Sequence, residues 1–326
     1  MREPEAQSRF PYCIMAALTK SVLALKKGAS MKRRQFFGIA AAAAAPAIAN
    51  PIDLRSIKSR GPKKVEIAFK SPHPTPNGLQ NTKEGLWIVD ETSGTTHWVS
   101  LVSFADGKVI REFEIPGMNG PSGVTVDDND VMWIDSADNS MIFSVNHRDG
   151  QAIAKYWAPG AGRSFHMKGD PAPAPVTQQP AFPRPAAKGG KKGGGNGPVV
   201  SPGQLPMDAT TGAGGLGGQG IEYRDGLLYI ATLAARRLFV LDPKTWEVQT
   251  YWELAGNRGH GVGWDGDTLW VADTNLKAFF RHDMKTGLIR EKIQLGDKDP
   301  VIHGATVKDG YLWYCDVAGY VCNLKL

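Results

Sequence analysis

From about residue 62 onward the chain alternates apolar and polar positions, and it does so in copies. Five segments share a glycine, a short apolar run, a polar turn and an apolar-aromatic stretch closing on a polar residue. They are NGLQNTKEGLWIVD (77–90), SGVTVDDNDVMWID (122–135), QGIEYRDGLLYIAT (219–232), HGVGWDGDTLWVAD (260–273) and HGATVKDGYLWYCD (303–316). Apolar residues at every second position lie on one face of a β-strand, so each segment predicts a strand, a turn and a second strand. The pattern then continues. After the first copy come HWVSLVSF, a turn at Asp106-Gly107 and KVIREFEI; after the fourth come AFFRHD, a turn at Lys285-Thr286-Gly287 and LIREKIQL. Each unit therefore predicts four antiparallel strands.

The leading glycines, Gly78, Gly123, Gly220, Gly261 and Gly304, are 45, 97, 41 and 43 residues apart. The long interval is one repeat plus an insertion of about 54 residues. Four strands per 40 to 45 residues is the spacing of one blade of a β-propeller, so the expected fold is all-β: a five-bladed propeller over residues 62–326. Six blades would require the insertion to hold one. The last unit has only three strands before Leu326. Upstream, KKVEIAFKSPHPTPNG (63–78) aligns with KVIREFEIPGMNGPSG (108–123), so Val65–Phe69 is expected to supply the missing outer strand and close the ring. Closure removes open sheet edges that would invite aggregation. The insertion, 159–218, holds 15 Gly and 10 Pro in 60 positions and no Trp. That composition reads as a flexible Gly/Pro-rich linker or surface lid rather than a source of sheet ladder.

The amino terminus reads differently. Residues 31–49, MKRRQFFGIAAAAAAPAIA, run from a basic start through a short apolar stretch to a small-residue cleavage site at Ala47-Ile48-Ala49. This is the plan of an export signal, too short in its apolar part to span a membrane. Arg33-Arg34-Gln35-Phe36-Phe37 resembles the twin-arginine motif, so the translocation machinery for folded proteins is an expected partner and the expected location is periplasmic or secreted. Residues 1–30 precede the natural start of such a leader at Met31 and read as a non-native upstream extension. The charge follows this division. The chain has 38 Lys and Arg against 32 Asp and Glu, a net charge of +6, and residues 1–49 alone hold eight basic and two acidic residues. The rest is neutral by count, so the basic balance gives no ground for a nucleic-acid partner. No apolar run is long enough for a permanent membrane span. The three cysteines make neither a disulfide scaffold nor a zinc cluster.

In a propeller the innermost strands line a central channel. The residue before each repeat glycine opens that strand in every blade: Asn77, Ser122, Gln219, His260 and His303. All five are polar in an otherwise apolar motif and converge toward the axis, so they are the expected binding site for a small molecule or peptide. His260 and His303, on adjacent blades, are candidates for a general base or for ligands of one divalent metal ion, Ca, Mg or Zn. The alternative is that they bond neighbouring blades or channel water. Glu84 and Glu222 are the nearest carboxylates, and His73 or His166-Met167 could reach the mouth from loops. The aromatics Trp87, Trp133, Tyr229, Trp270 and Trp313 share one repeat position and are expected to pack between blades. Asp90, Asp135, Thr232, Asp273 and Asp316 close the second strands and are expected to cap turns. Cys315 and Cys322 flank a turn on consecutive strands. An oxidising compartment would allow a disulfide between them, and strand-pair geometry can disfavour one.

The units GPSGVTVDDNDVMWID, HGVGWDGDTLWVAD and HGATVKDGYLWYCD resemble repeats of the NHL and virginiamycin B lyase-like propellers and of the gluconolactonase-like family. The likeness rests on structural residues, so it speaks for fold more than for activity. The lyase-like resemblance implies a metal and a channel-mouth histidine, a role that would fall on His260 or His303. The gluconolactonase-like resemblance implies a metal held by Glu, Asn and Asp, with Glu84 and Asn77 as loose matches here. QGIEYRDGLLYIATL (219–233) and Leu241-Asp242-Pro243-Lys244-Thr245 resemble five-bladed glutaminyl cyclotransferases, which place a Glu where this chain has Ile230 or Ala231. The expected function is therefore binding at the channel mouth. A divalent-metal-dependent lyase or lactone hydrolase is the alternative, and a glutaminyl cyclotransferase-like enzyme a further one.

Overall fold

A computed structural model describes residues 52–61, 63–91, 97–161, 166–169, 204–205 and 217–326. The expected leader and the stretch before it lie outside the described residues, as does most of 159–218. The described residues form strands and turns without a helix. Their 23 strands make five antiparallel blades around a ring. Blade 1 runs Pro76–Asn81, Leu86–Asp90, Trp98–Val102 and Val109–Glu114 from the axis outward. Blade 2 follows with Pro121–Val126, Val131–Ser136, Met141–Asn146 and Ala152–Trp157, and blade 3 with Gly218–Arg224, Leu227–Thr232, Arg237–Asp242 and Glu247–Glu253. Blade 4 has Gly259–Asp265, Thr268–Asp273, Ala278–Asp283 and Ile289–Gln294. Blade 5 has Ala305–Lys308, Tyr311–Cys315 and Tyr320–Lys325, and Glu66–Lys70 pairs antiparallel with the last of these. The ring closes through the strand expected from the 63–78 alignment. Tight hairpins join the strands where Asp-Gly pairs stand: Asp225 and Gly226 both take left-handed conformations, with φ of 51° and 81°, the geometry that a two-residue turn matched to strand twist requires.

The core is five layers, one between each pair of blades. Trp87 of blade 1 packs with Val124, Met132 and Phe143 of blade 2, and Trp133 of blade 2 packs with Ile221, Ile230 and Phe239 of blade 3. Tyr229, Trp270 and Trp313 repeat this against blades 4, 5 and 1. Each aromatic thus anchors its blade to the next, and truncating one to Ala would cost about 3–5 kcal/mol. The glycines serve the same contact at the axis. None of the five leading glycines has a positive φ; each sits where the next strand comes too close for a side chain. A Cβ on Gly78 would lie 1.8 Å from Ser122 O, on Gly220 1.7 Å from His260 O, and on Gly304 2.5 Å from Gly78 Cα.

Four features depart from the sequence reading. The insertion does contribute sheet. His166–Met167 pairs parallel with Glu247–Val248 at the rim of blade 3, and Gln204–Leu205 pairs with Lys155–Tyr156 at the rim of blade 2. Both are two-residue ladders between the glycines and prolines, short enough to escape their density. Lys58–Ser59 edges blade 4 in the same way, and Arg60 bonds Glu291 at 2.9 Å, so the propeller body begins before residue 62. Cys315 and Cys322 are not brought together. Tyr314, not Cys315, stands opposite Cys322, and Cys315 faces Val321. One step of register puts the two side chains on opposite faces of the sheet. Cys315 packs in the layer toward blade 1, Cys322 in the layer toward blade 4, and both are free buried thiols. Finally, Asp90, Asp273 and Asp316 cap turns as expected, for example Arg258 N–H to Asp273 Oδ2 at 3.1 Å. Asp135 does not: it is fully buried with neither carboxylate oxygen hydrogen-bonded, and burial holds its pKa well above the usual carboxylate range.

Candidate functional site

Each inner strand begins with a β-bulge at or beside the residue before its glycine in blades 1 to 4, so the register shifts there. A bulge re-aims the side chain it carries, and here it turns Asn77, Ser122, Gln219 and His260 into a girdle with His303 at one end of the channel. All five are buried. Most of their polar atoms link one blade to the next. Ser122 Oγ donates to Gln219 O at 2.8 Å, Asn77 Nδ2 to Pro121 O at 3.1 Å, and His303 Nδ1 pairs with Asn77 Oδ1 at 2.7 Å. These bonds tie the girdle residues of one blade to the next.

The two histidines break this pattern. Their rings meet edge to face, with centroids 4.7 Å apart and planes at 74°. Asn77 Nδ2 also donates to Glu91 Oε2 at 2.9 Å, so its amide oxygen must be the acceptor for His303. That fixes the proton on His303 Nδ1 and leaves the lone pair on Nε2. His260 is only 1% exposed, and neither of its ring nitrogens has a hydrogen-bond partner. Burial, then the neighbouring His303 and Arg258, hold its pKa well below that of free imidazole. Burial and then Arg258 lower His303 to about 4. Both rings are neutral at physiological pH.

Loops supply the surroundings. Glu91, directly after the second strand of blade 1, has its pKa raised by burial and by Asp138, and Arg258 opposes the shift. Arg258 itself is exposed, two residues before His260. Sequence reasoning passed over Glu91, Asp138 and Arg258 because loops carry no repeat signal. Their adjacency to the repeat ends is the trace they leave.

The remaining candidates lie elsewhere. Glu84 sits in the turn after the inner strand of blade 1, at the opposite end of the channel, where it is exposed and 3.4 Å from Arg111. It does not join the histidines. His73 stacks on Trp98 and bonds Glu112 at 2.6 Å away from the girdle, and the backbone of His166 is at the rim of blade 3. Ile230 and Ala231 are fully buried and apolar. Glu222 does reach the channel, but two positions beyond its glycine and below the girdle. Burial raises its pKa to about 8, opposed by the Tyr223 N–H, the Gln80 amide and the Thr125 hydroxyl. His260 and His303 are, among the described residues, the histidines at the mouth, and the Glu91 carboxylate reaches it through Asn77. Among the described residues, no cluster of three or more His, Cys, Asp or Glu side chains is placed to hold a metal ion, so the expected divalent site at His260 and His303 lacks a third protein ligand of those types.

Comparison with known proteins bears on the fold. No family model and no curated protein matches the sequence. Among solved structures, Myxococcus xanthus glutaminyl cyclase is similar over 81% of this chain and 98% of its own, with a TM-score of 0.52 and 10% identity. A streptogramin B lyase matches over 81% of this chain and 97% of its own, with a TM-score of 0.43 and 15% identity. A catalytically inactive virginiamycin B lyase from Staphylococcus aureus with quinupristin matches over 78% and 68%, with a TM-score of 0.42 and 15% identity.

Proposed function

We propose that this protein is an exported propeller that holds a small polar ligand, a small molecule or a peptide loop, at the mouth of its central channel. One observation carries the reading: His260 is buried with both ring nitrogens unsatisfied, beside a His303 whose tautomer presents a lone pair. An unpaired buried polar atom costs about 1–3 kcal/mol, and a ligand that bonds these nitrogens recovers it. The exposed guanidinium of Arg258 at the rim favours a ligand with an anionic or strongly polar group. Export rests on residues 31–49, with the twin-arginine machinery as the partner in transit.

Acid–base catalysis is less well supported than binding. A His303 held at about 4 is ~300-fold less basic than free imidazole, a poor match to a general base working near neutral pH. A metal-dependent lyase or lactone hydrolase would need a third ligand, and among the described residues no group of three or more His, Cys, Asp or Glu side chains is placed to hold a metal ion. Ligand-observed NMR with a set of small amides, lactones and carboxylates tests the reading, on wild type and on His260→Phe. The phenyl ring keeps the shape and removes both nitrogens. Compounds that bind wild type and lose at least tenfold in affinity for the variant support the site. Equal binding to both proteins, or none at millimolar concentration, contradicts it.

A further inference from the structure

At the end of blade 2 opposite the girdle, the turn after its inner strand and the turn before its outer strand enclose a cavity of about 340 Å³. The first turn contributes Asn129, Asp130 and Val131, and the second contributes His147, Arg148, Gln151 and Ile153. Hydrogen bonds fix both backbones. Asp127 Oδ1 accepts from Asn129 N–H at 2.8 Å and Val131 N–H at 3.0 Å, while its Oδ2 accepts from Trp133 Nε1–H at 3.0 Å. In the second turn Asn146 Oδ1 accepts from Arg148 N–H at 2.9 Å, and Asp149 Oδ1 from Gln151 N–H at 3.0 Å. His147, buried edge-on to Trp87, joins the turns, with Nδ1 2.7 Å from Asp130 O. A carbonyl only accepts, so Nδ1 carries a proton and the neutral ring keeps a lone pair on Nε2. The side chains around the cavity are not so engaged. Among the described residues, the amides of Asn129 and Gln151 make no hydrogen bond. Arg148 meets Asp130 only at 3.8 Å, with the two side chains 69% and 70% exposed. Ile153 adds an exposed apolar surface to the same lining.

This lining selects a class of ligand. The charge of Arg148 is offset by Asp130, and Asp128 and Asp149 flank the turns, so an anion meets no net positive field. A wholly apolar ligand would strip water from the amides and return no hydrogen bond. Planar carboxylate, amide and guanidinium groups can each bond two neighbouring hydroxyls, with donors and acceptors both present. An aliphatic side chain beside them covers the C–H face of a ring. We propose that this cavity binds one neutral sugar ring, its hydroxyls shared among Asp130, Arg148 and the amides of Asn129 and Gln151, its C–H face against Ile153. The volume lies at the small end of ligand pockets, which begin at about 300 Å³, and suits a monosaccharide or the terminal ring of a longer chain. Because both turns are already held, little loop ordering opposes binding. The site shares no residue with the girdle and is independent of any ligand at the mouth.

Saturation-transfer NMR of the whole protein with glucose, galactose, mannose and N-acetylglucosamine, each at about 20 mM, tests this. At least one sugar should bind with a Kd of about 1 mM, the scale for a ligand of about twelve heavy atoms. Asn129→Ala and Arg148→Ala truncate exposed side chains, so both should keep the wild-type Tm and weaken that sugar about tenfold or more. The His260→Phe variant should bind it as wild type does, so failure of the mouth reading leaves this test unaffected. No transfer from any of the four sugars would overturn the site. So would unchanged affinity in both alanine variants, tighter binding of the anion gluconate than of any sugar, or loss of sugar binding in His260→Phe.

Discussion

The pH dependence of His303 offers a quantitative test of the girdle. Burial first, and Arg258 second, lower this histidine to about 4 in the folded protein, against about 6.5 in an unfolded chain. The folded-state pKa is the lower one, so the stability His303 contributes is fully present above pH 6.5. It is lost as pH falls toward 4, because the unfolded chain takes up a proton that the folded one refuses. Between pH 7 and pH 5 the loss from this residue works out at about 2 kcal/mol. His303 is only 7% exposed, so little solvent screening reduces that figure. Other groups titrate in the same range: burial also depresses His282 to about 4 and raises Glu222 to about 8. Their effects cancel in a comparison with His303→Asn, whose amide can still donate to Asn77. Denaturant unfolding of both proteins at pH 7, 6 and 5 should show wild type more stable at pH 7 and the gap narrowing by about 2 kcal/mol at pH 5. A gap that stays constant or widens would refute a neutral, desolvated His303.

Three further outcomes follow from the same geometry. Gly220→Ala puts a methyl 1.7 Å from His260 O, so blades 3 and 4 must separate; chemical denaturation should show a loss of about 3 kcal/mol or more. Cys315 and Cys322 should react with a thiol reagent only after unfolding, both as free thiols, and reductant should leave Tm unchanged; a mass lower by two hydrogens after tryptic digestion without reduction would contradict the register. Replacing Arg33-Arg34 by a lysine pair should retain the protein in the cytoplasm of an export-competent bacterium, and unimpaired export would remove the twin-arginine reading.

Much of this fold was legible because a propeller repeats its physical problem. Each blade needs a glycine where the next inner strand crowds it and an aromatic where the next blade packs. Gly78 to Gly304 and Trp87 to Trp313 therefore recur in register, and the ring could be counted before it was seen. Even the closing strand at Glu66–Lys70 was readable, since it repeats the outer strand of blade 1. The rest depended on single steps that repeats do not encode. A one-residue register difference separates Cys315 from Cys322, and two-residue ladders at His166–Met167 and Gln204–Leu205 are too short to show a period. The direction of a side chain at a bulge decides whether His260 finds a partner. Glu84 is close to Asn77 along the chain, but the inner strand between them carries it to the opposite end of the channel.

The central claim is that His260 bonds a ligand at the channel mouth. Nitrogen-15 NMR of the histidine side chains, with the His260 resonances assigned by comparison with His260→Phe, tests this most directly. On saturation with the tightest-binding compound from the amide, lactone and carboxylate set, the account predicts that one or both His260 ring nitrogens shift as they gain a hydrogen bond. His282, buried elsewhere in blade 4, should stay in place. His260 resonances unmoved while the compound is fully bound would contradict it.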